Sequence, residues 1–137
     1  MPDPLCSHHR GFTLVELLVA LVIVGVLASI ATASYSDSMR KGRRSDAMVG
    51  LSSLQLAQEK YRSNNTTYGT LTDIGGSTTS PQGYYTLSVS ANSATGYTLT
   101  ATAVSTKSQN NDTGCTALTL TQSGETTTTT PSSCWTK

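Results

Sequence analysis

The chain has 137 residues, and charged residues make up only 12% of them, with a formal net charge of +1. This length leaves room for one modest domain and a membrane segment, and the near-neutral charge provides no overall field that would attract nucleic acid. Both histidines, His8 and His9, lie within the first ten residues, so we expect a protein that is not an enzyme and that binds no cofactor and no metal.

A short polar leader precedes a long apolar segment. Residues 1–11 lack the apolar core that a secretory signal carries before its cleavage site. In residues 12–35 the only charged side chain is Glu16. A helix over residues 12–33 would be about 33 Å long at about 1.5 Å per residue, enough to cross a hydrocarbon core of about 30 Å. We therefore predict a transmembrane helix, since a buried helix of a soluble domain would need a larger chain around it.

The helical pattern continues beyond the apolar segment, over residues 36–63. It contains no proline, and its apolar residues recur at spacings of three and four, which predicts a stripe that packs on the chain's own sheet. The members of the stripe are Ala47, Met48, Leu51, Leu54 and Tyr61. Val49 and Leu56 fall together on the opposite face. They are either a contact for a neighbouring subunit or two exposed apolar residues.

After a predicted loop over residues 64–83, alternating apolar residues predict three antiparallel strands within residues 84–122. The inward positions are Tyr85, Leu87 and Val89, then Tyr97, Leu99, Ala101 and Ala103, then Leu118 and Leu120. The threonine-rich stretch that follows is predicted to be a loop ending at Cys134 and Trp135. The fold class is thus α+β, a long N-terminal helix packed on a small antiparallel sheet, with residues 36–137 as the globular domain.

Glu16 is costly in a membrane segment. An ionised carboxylate at the bilayer centre costs about 2.5–3.5 kcal/mol on insertion scales and usually has a partner, yet no basic residue lies within helical reach inside the segment. Cleavage between Gly11 and Phe12 would create an amine one turn away, at the positive end of the helix. Glu16 could pair with this amine or with that of a neighbouring copy, which indicates a role in assembly.

The stretch GFTLVELLVALVIVGVLASIATASY, residues 11–35, resembles the class III leader junction and N-terminal helix of type IV pilins and related pseudopilins. The resemblance implies cleavage after Gly11 by an inner-membrane prepilin peptidase, which also methylates the Phe12 amine. It implies a filament core of packed helices in which Glu16 meets Phe12 of an adjacent subunit. The chain departs from many pilins at Ala33, where they have a proline that kinks the helix, so a straighter helix is expected.

Later phrases, RKGRRSDAMVGLSSLQLAQEKYRSNNTTYG, YYTLSV, YTLTATA and CTALTLTQSGE, are similar to PilE-type minor pilins of type IVa systems. This implies a minor pilin that primes or joins a pilus serving adhesion, twitching motility and DNA uptake. Its partners would be major and minor pilins, the prepilin peptidase, the pilus assembly platform and the inner membrane. The domain would be periplasmic before assembly and extracellular in the filament afterwards.

Three alternatives stay open. The first is a major pilin. The second is a type II secretion pseudopilin, whose major form would carry a calcium loop lined by carboxylates, whereas Glu125 stands alone among threonine and serine. The third is a membrane-anchored adhesin or DNA-binding receptor, which would need neither the Gly11–Phe12 cut nor Glu16.

The cysteines lie on both sides of the apolar segment, Cys6 before it and Cys115 and Cys134 after it. The simplest arrangement across a membrane is a free thiol on the reducing side and a disulfide on the oxidising side. Two buried free thiols are the alternative. The pilin resemblance implies the bond, as a C-terminal disulfide loop over residues 115–134.

A basic run of four residues, Arg40, Lys41, Arg43 and Arg44, follows the apolar segment. It could contact anionic headgroups, pair with acids of adjacent subunits such as Asp46 or Glu59, or touch DNA. Direct DNA contact is not expected, because no aromatic residue is interleaved. The positive-inside tendency alone would place this run in the cytoplasm, whereas the leader resemblance and the cysteines require export.

Overall fold

The computed structural model describes residues 11–135, so Cys6 and all of the predicted leader except Gly11 lie outside the described residues. Contacts divide the chain into two compact units, Met1–Ser36 and Asp37–Lys137. The helix α1, Leu14–Arg62, contributes to both. It contains no proline and ends with the basic residues Lys60 and Arg62 in its last turn, where cations favour the carbonyl end of a helix.

The second unit holds a four-stranded antiparallel sheet in the order β1-β2-β3-β4. The strands are β1 (Tyr85–Ser90), β2 (Gly96–Ala103), β3 (Ala117–Ser123) and β4 (Thr126–Thr130). Short 3₁₀ turns lie at Ser108–Asn111 and Ser132–Cys134. The predicted α+β class, with a long N-terminal helix and a small antiparallel sheet, is confirmed.

Strand β4 corrects the prediction of three strands and a threonine-rich loop. Ser123 pairs with Thr126, which leaves a two-residue hairpin turn that begins at Gly124, with φ of 57°. Glycine adopts this conformation at no steric cost, and threonine is a β-branched residue enriched in strands. Both features favour a strand over the loop that the polarity of the stretch predicts.

The core of the second unit lies between α1 and one face of the sheet. The predicted helical stripe is confirmed at Ala47, Leu51 and Leu54, which are buried, and at Met48, which packs against them. The inward strand positions are also confirmed: Tyr85, Leu87, Tyr97, Leu99, Ala101, Ala103, Leu118 and Leu120 are buried, and Val89 is partly buried. Threonine and serine hydroxyls alternate with them on the opposite, solvent-facing side.

Because Tyr85 is buried, we expect the stability of this core to fall at alkaline pH. Its side chain is fully buried, and burial raises its pKa to about 12, whereas an unfolded tyrosine ionises near pH 10. Because the unfolded state loses the proton first, stability should be intact below about pH 10 and should fall by on the order of 2 kcal/mol by pH 12. Chemical denaturation in detergent at increasing pH measures this loss. Tyr85→Phe should make the slope shallower; an unchanged slope would assign the alkaline loss to other groups.

Candidate assembly surfaces

The start of α1 is built around Thr13. Its side-chain Oγ1 accepts a hydrogen bond of 3.2 Å from the Glu16 backbone N–H, so Thr13 caps the helix and Glu16 occupies the first turn. The sequence carries this signal as T-x-x-E, which is typical of a helix N-terminus. The helix therefore begins at Leu14, close to the Gly11–Phe12 junction, and Glu16, the only acid of residues 12–35, lies at the positive end of the helix dipole.

The large apolar side chains of residues 12–30 are exposed. Phe12 is 84% exposed and even Val19, the least exposed of the large apolar residues from 12 to 30, is 50% exposed. Apart from its chain neighbours and the nearby backbone of its own helix, a Cβ added at Gly25 would meet no described atom within 4 Å. Gly25 is therefore open to contact with lipid or with a second helix.

Only one helix in the described part of the chain is long and apolar enough to cross a membrane, and none of its most apolar stretch is buried. A signal sequence near the N-terminus passes the same test.

In the second unit, Val49 and Leu56 form the small second face predicted for the helix. They are 58% and 73% exposed, and neither belongs to the core that α1 forms with the sheet. A subunit contact at this face remains a prediction.

The structure separates the members of the basic run. Arg44 donates two hydrogen bonds of 2.8 Å, from Nε and Nη2, to the two carboxylate oxygens of Asp112. Both side chains are nearly buried, at 11% and 5% exposure, and the hydrogen bonds to Asp112 raise the pKa of Arg44. Arg44 is therefore unavailable to a headgroup or another subunit, and the prediction that placed it in a contact patch is wrong.

Lys41 is exposed and pairs with Asp37 one turn away at 2.8 Å. Arg43 remains half-buried and lies beside Tyr84, which the fold brings from the start of β1. An aromatic residue thus does accompany the basic run in space, although none is interleaved with it in the sequence. Lys107, from the connection between β2 and β3, lies on the same ring.

The two acids suggested as partners for adjacent subunits differ in accessibility. Asp46 is buried, and its carboxylate accepts hydrogen bonds from the Ser80 hydroxyl at 2.5 Å and from the Gln82 backbone N–H at 2.8 Å. It anchors the loop before β1 and cannot face another subunit. Glu59 is exposed and accepts a weak hydrogen bond of 3.3 Å from the Tyr97 hydroxyl, so it remains accessible.

A disulfide joins Cys115 and Cys134, which confirms the predicted C-terminal bond. It connects the residue that precedes β3 to the turn that follows β4, and both sulfurs lie in the core. Trp135 is half-buried and donates its indole N–H to the Thr130 carbonyl at 3.4 Å. Among the described residues, no group of three or more histidine, cysteine or acidic residues is placed to hold a metal ion.

A family model described as "Type IV minor pilin ComP, DNA uptake sequence receptor" matches residues 33–119. A second model, described as "Prokaryotic N-terminal methylation motif", matches residues 6–32. The first match covers more than half of the chain, and the two meet at residue 33.

Individual relatives match about half of the chain or less. The type IV major pilin protein PilA of Myxococcus xanthus is 34% identical over 61 residues, 44% of this chain and 28% of that protein. The type II secretion system core protein G of Pectobacterium carotovorum is 39% identical over 61 residues, 44% and 39% of the two chains. The fimbrial protein of Neisseria meningitidis is 34% identical over 77 residues, 50% and 45% of the two chains. The chain spans less than half the length of these relatives.

Proposed function

Since this chain belongs to the type IV minor pilin family, whose members are structural subunits and not enzymes, we propose that it primes a type IV pilus or enters the filament as a minor component. The observation that carries the proposal is the N-terminal helix. Its large apolar side chains from residue 12 to residue 30 are exposed, and its first turn holds one carboxylate, that of Glu16.

Cleavage of the leader would supply the positive charge that the apolar part of this helix lacks. We propose that a prepilin peptidase cleaves after Gly11 and methylates the new Phe12 amine, in keeping with the methylation motif matched over residues 6–32. The amine of one subunit then meets Glu16 of the next. Neutralising both charges lowers the cost of moving the helix from lipid into a protein core, where an unpaired charge is expensive.

The membrane-anchored stage is proposed to hold the Asp37–Lys137 unit in the periplasm, in contact with the assembly platform and with other pilins. The Cys115–Cys134 bond supports this placement, because disulfides persist in oxidising compartments. The basic run after the apolar segment opposes it under the positive-inside tendency. Two of its charges, those of Lys41 and Arg44, are paired within the chain.

Glu16→Ala tests the proposal. The variant should insert in the membrane and be processed normally, but its incorporation into sheared filaments should fall at least about tenfold, because the buried amine of a neighbour is left without a counter-ion. Immunoblotting of purified filaments measures incorporation, and mass spectrometry should find N-methylated Phe12 at the start of both proteins. Glu125→Ala removes an exposed acid of the β3–β4 turn and is the matched control.

Normal incorporation of Glu16→Ala would contradict the charge pairing, and a mature chain that does not begin at Phe12 would contradict the leader assignment. The relatives include major pilins and pseudopilins. Deletion of the gene distinguishes a major pilin from a minor one. Sparse surface pili in the deletion strain, together with a scarce product in the wild type, indicate a minor subunit. Total loss of pili, together with an abundant product, indicates a major subunit.

DNA binding is the second candidate function, and the description of the matched family, which names a DNA uptake sequence receptor, is the observation that favours it. The unpaired basic side chains described in the second unit all lie within residues 33–119, so they are the candidates for a DNA contact.

A further inference from the structure

Three parts of the chain converge on the ring of Tyr84. The guanidinium carbon of Arg43, from α1, lies 4.6 Å from the ring centroid, and the Lys107 ammonium, from the connection between β2 and β3, lies 5.1 Å from it. Both distances fit cation–π contacts. Gly83 permits this approach, since it has a φ of 71° and a side chain there would come within 3.2 Å of the Lys107 nitrogen.

The cluster is held in place by the fold. Arg43 donates from Nη1 to the Ser108 hydroxyl at 2.5 Å, which ties the helix to the 3₁₀ turn after Lys107. The Asp46 carboxylate accepts from the Tyr84 backbone N–H at 3.3 Å and fixes the start of β1 from the core side. Two cations, a phenol and a hydroxyl are thereby arranged before any ligand arrives.

Neither cation forms an ion pair with an acid of residues 11–135. Among the described residues the ion pairs are Lys41 with Asp37 and Arg44 with Asp112, so Arg43 and Lys107 have no carboxylate partner. Three acids of the second unit are engaged elsewhere: Asp37 and Asp112 in these pairs, and Asp46 in hydrogen bonds from the core side. An anionic ligand would therefore meet two uncompensated positive charges.

We propose that Arg43, Tyr84 and Lys107 form a contact site for the phosphate headgroups of an anionic lipid surface. Arg43 lies only eight residues after Tyr35, the end of the apolar segment. Each basic side chain near an anionic surface gains about 1 kcal/mol, and a tyrosine suits the membrane–water interface. So small a site would hold a free ligand weakly, but an anchored domain meets headgroups at high effective concentration.

Duplex DNA fits the same cluster less well, because DNA-binding proteins commonly engage several phosphates along a basic stripe. The headgroup site rests on the membrane-anchored stage of the proposed function. In the filament the same cluster would be released from lipid, so it would favour retention of the subunit in the membrane until assembly.

Lysine protection in vesicles tests the site. The full chain is reconstituted in phosphatidylcholine vesicles with and without phosphatidylglycerol, and exposed amines are acylated with a membrane-impermeant reagent. Mass spectrometry follows Lys107 relative to Lys60, an exposed lysine near the end of α1. Acylation of Lys107 should slow about fivefold in the anionic vesicles, and high salt should abolish the difference because it screens the attraction. Arg43→Gln should reduce the protection, and Arg62→Gln should not.

Equal Lys107 rates in the two vesicle types would overturn the headgroup site. A chain that does not float with the vesicles would instead contradict the membrane anchoring in the proposed function. A separate arm adds duplex DNA to the protein in phosphatidylcholine vesicles and tests the second candidate function. Protection of Lys107 by DNA, with none by phosphatidylglycerol, would assign the cluster to DNA and overturn the lipid proposal.

Discussion

Arg44→Ala is expected to lower the free energy of unfolding by about 3–5 kcal/mol, the range for removing one partner of a buried ion pair. The substitution leaves the Asp112 carboxylate, which is 5% exposed, without its cation. Small domains have total stabilities of about 5–15 kcal/mol, so this one change should remove a large share. Denaturant unfolding in detergent, followed by circular dichroism, measures the loss.

The effect should extend beyond the pair. Asp112 also accepts a hydrogen bond of 2.9 Å from the Gln109 side chain, whose Nε2 lies 2.8 Å from the Tyr85 hydroxyl. Losing Arg44 therefore weakens the contact that holds the connection between β2 and β3 against α1. Since Lys107 and Ser108 lie in that connection, the variant should also disturb the proposed headgroup site.

Lys41→Ala is the matched control. Its ion pair with Asp37 has the same 2.8 Å separation, but the two side chains are 58% and 51% exposed, so its loss should cost at most about 1 kcal/mol. Arg44→Met combined with Asp112→Leu should recover most of the stability, because apolar replacement of a buried pair is often neutral or better. If Arg44→Ala were as mild as Lys41→Ala, the buried pair would not be the main contact between α1 and this connection.

The sequence does not predict how differently Lys41, Arg43 and Arg44 are placed in the structure. The helical spacing of apolar residues and their alternation in the strands predicted which positions are buried, because each pattern is local and repeats several times along the chain. The partner of Arg44, in contrast, lies 68 residues away. Within a run of four basic residues nothing in the sequence distinguishes the one that turns inward, and a polar residue is buried only where the fold supplies its partner.

The same limit applies to Asp46 and Tyr84. From the sequence alone, Asp46 would be predicted to be an exposed acid on a helix. The side of the helix that buries Ala47 also directs Asp46 toward the loop before β1. Tyr84 precedes the predicted strand alternation and carried no signal for a basic cluster. The start of α1 and strand β4, by contrast, could be predicted from the sequence. Thr13 indicates the helix cap, and Gly124 indicates the turn that precedes β4.

Removing the disulfide should have the second large effect on stability. Cys115→Ala with Cys134→Ala deletes a crosslink with a sequence separation of 19, for which the chain-entropy model gives about 3 kcal/mol. The edge strand β4 depends on it most, because its five residues pair only with β3 and Cys134 follows it in the core. Backbone amides of β4 should therefore exchange with deuterium faster than those of β2.

Cys6→Ser is the matched control, because it removes a thiol and leaves the bond intact. It should change neither the unfolding free energy nor the exchange of β4. The double alanine variant should keep slow exchange in Leu99 and Leu118, which are fully buried in the central strands. An edge that exchanges as slowly as the centre without the bond would mean that the β3–β4 ladder alone holds the strand. If β4 does loosen, the C-terminal surface around Trp135 needs the oxidised bond to keep one shape, and the subunit must oxidise before it can present that surface to a filament partner.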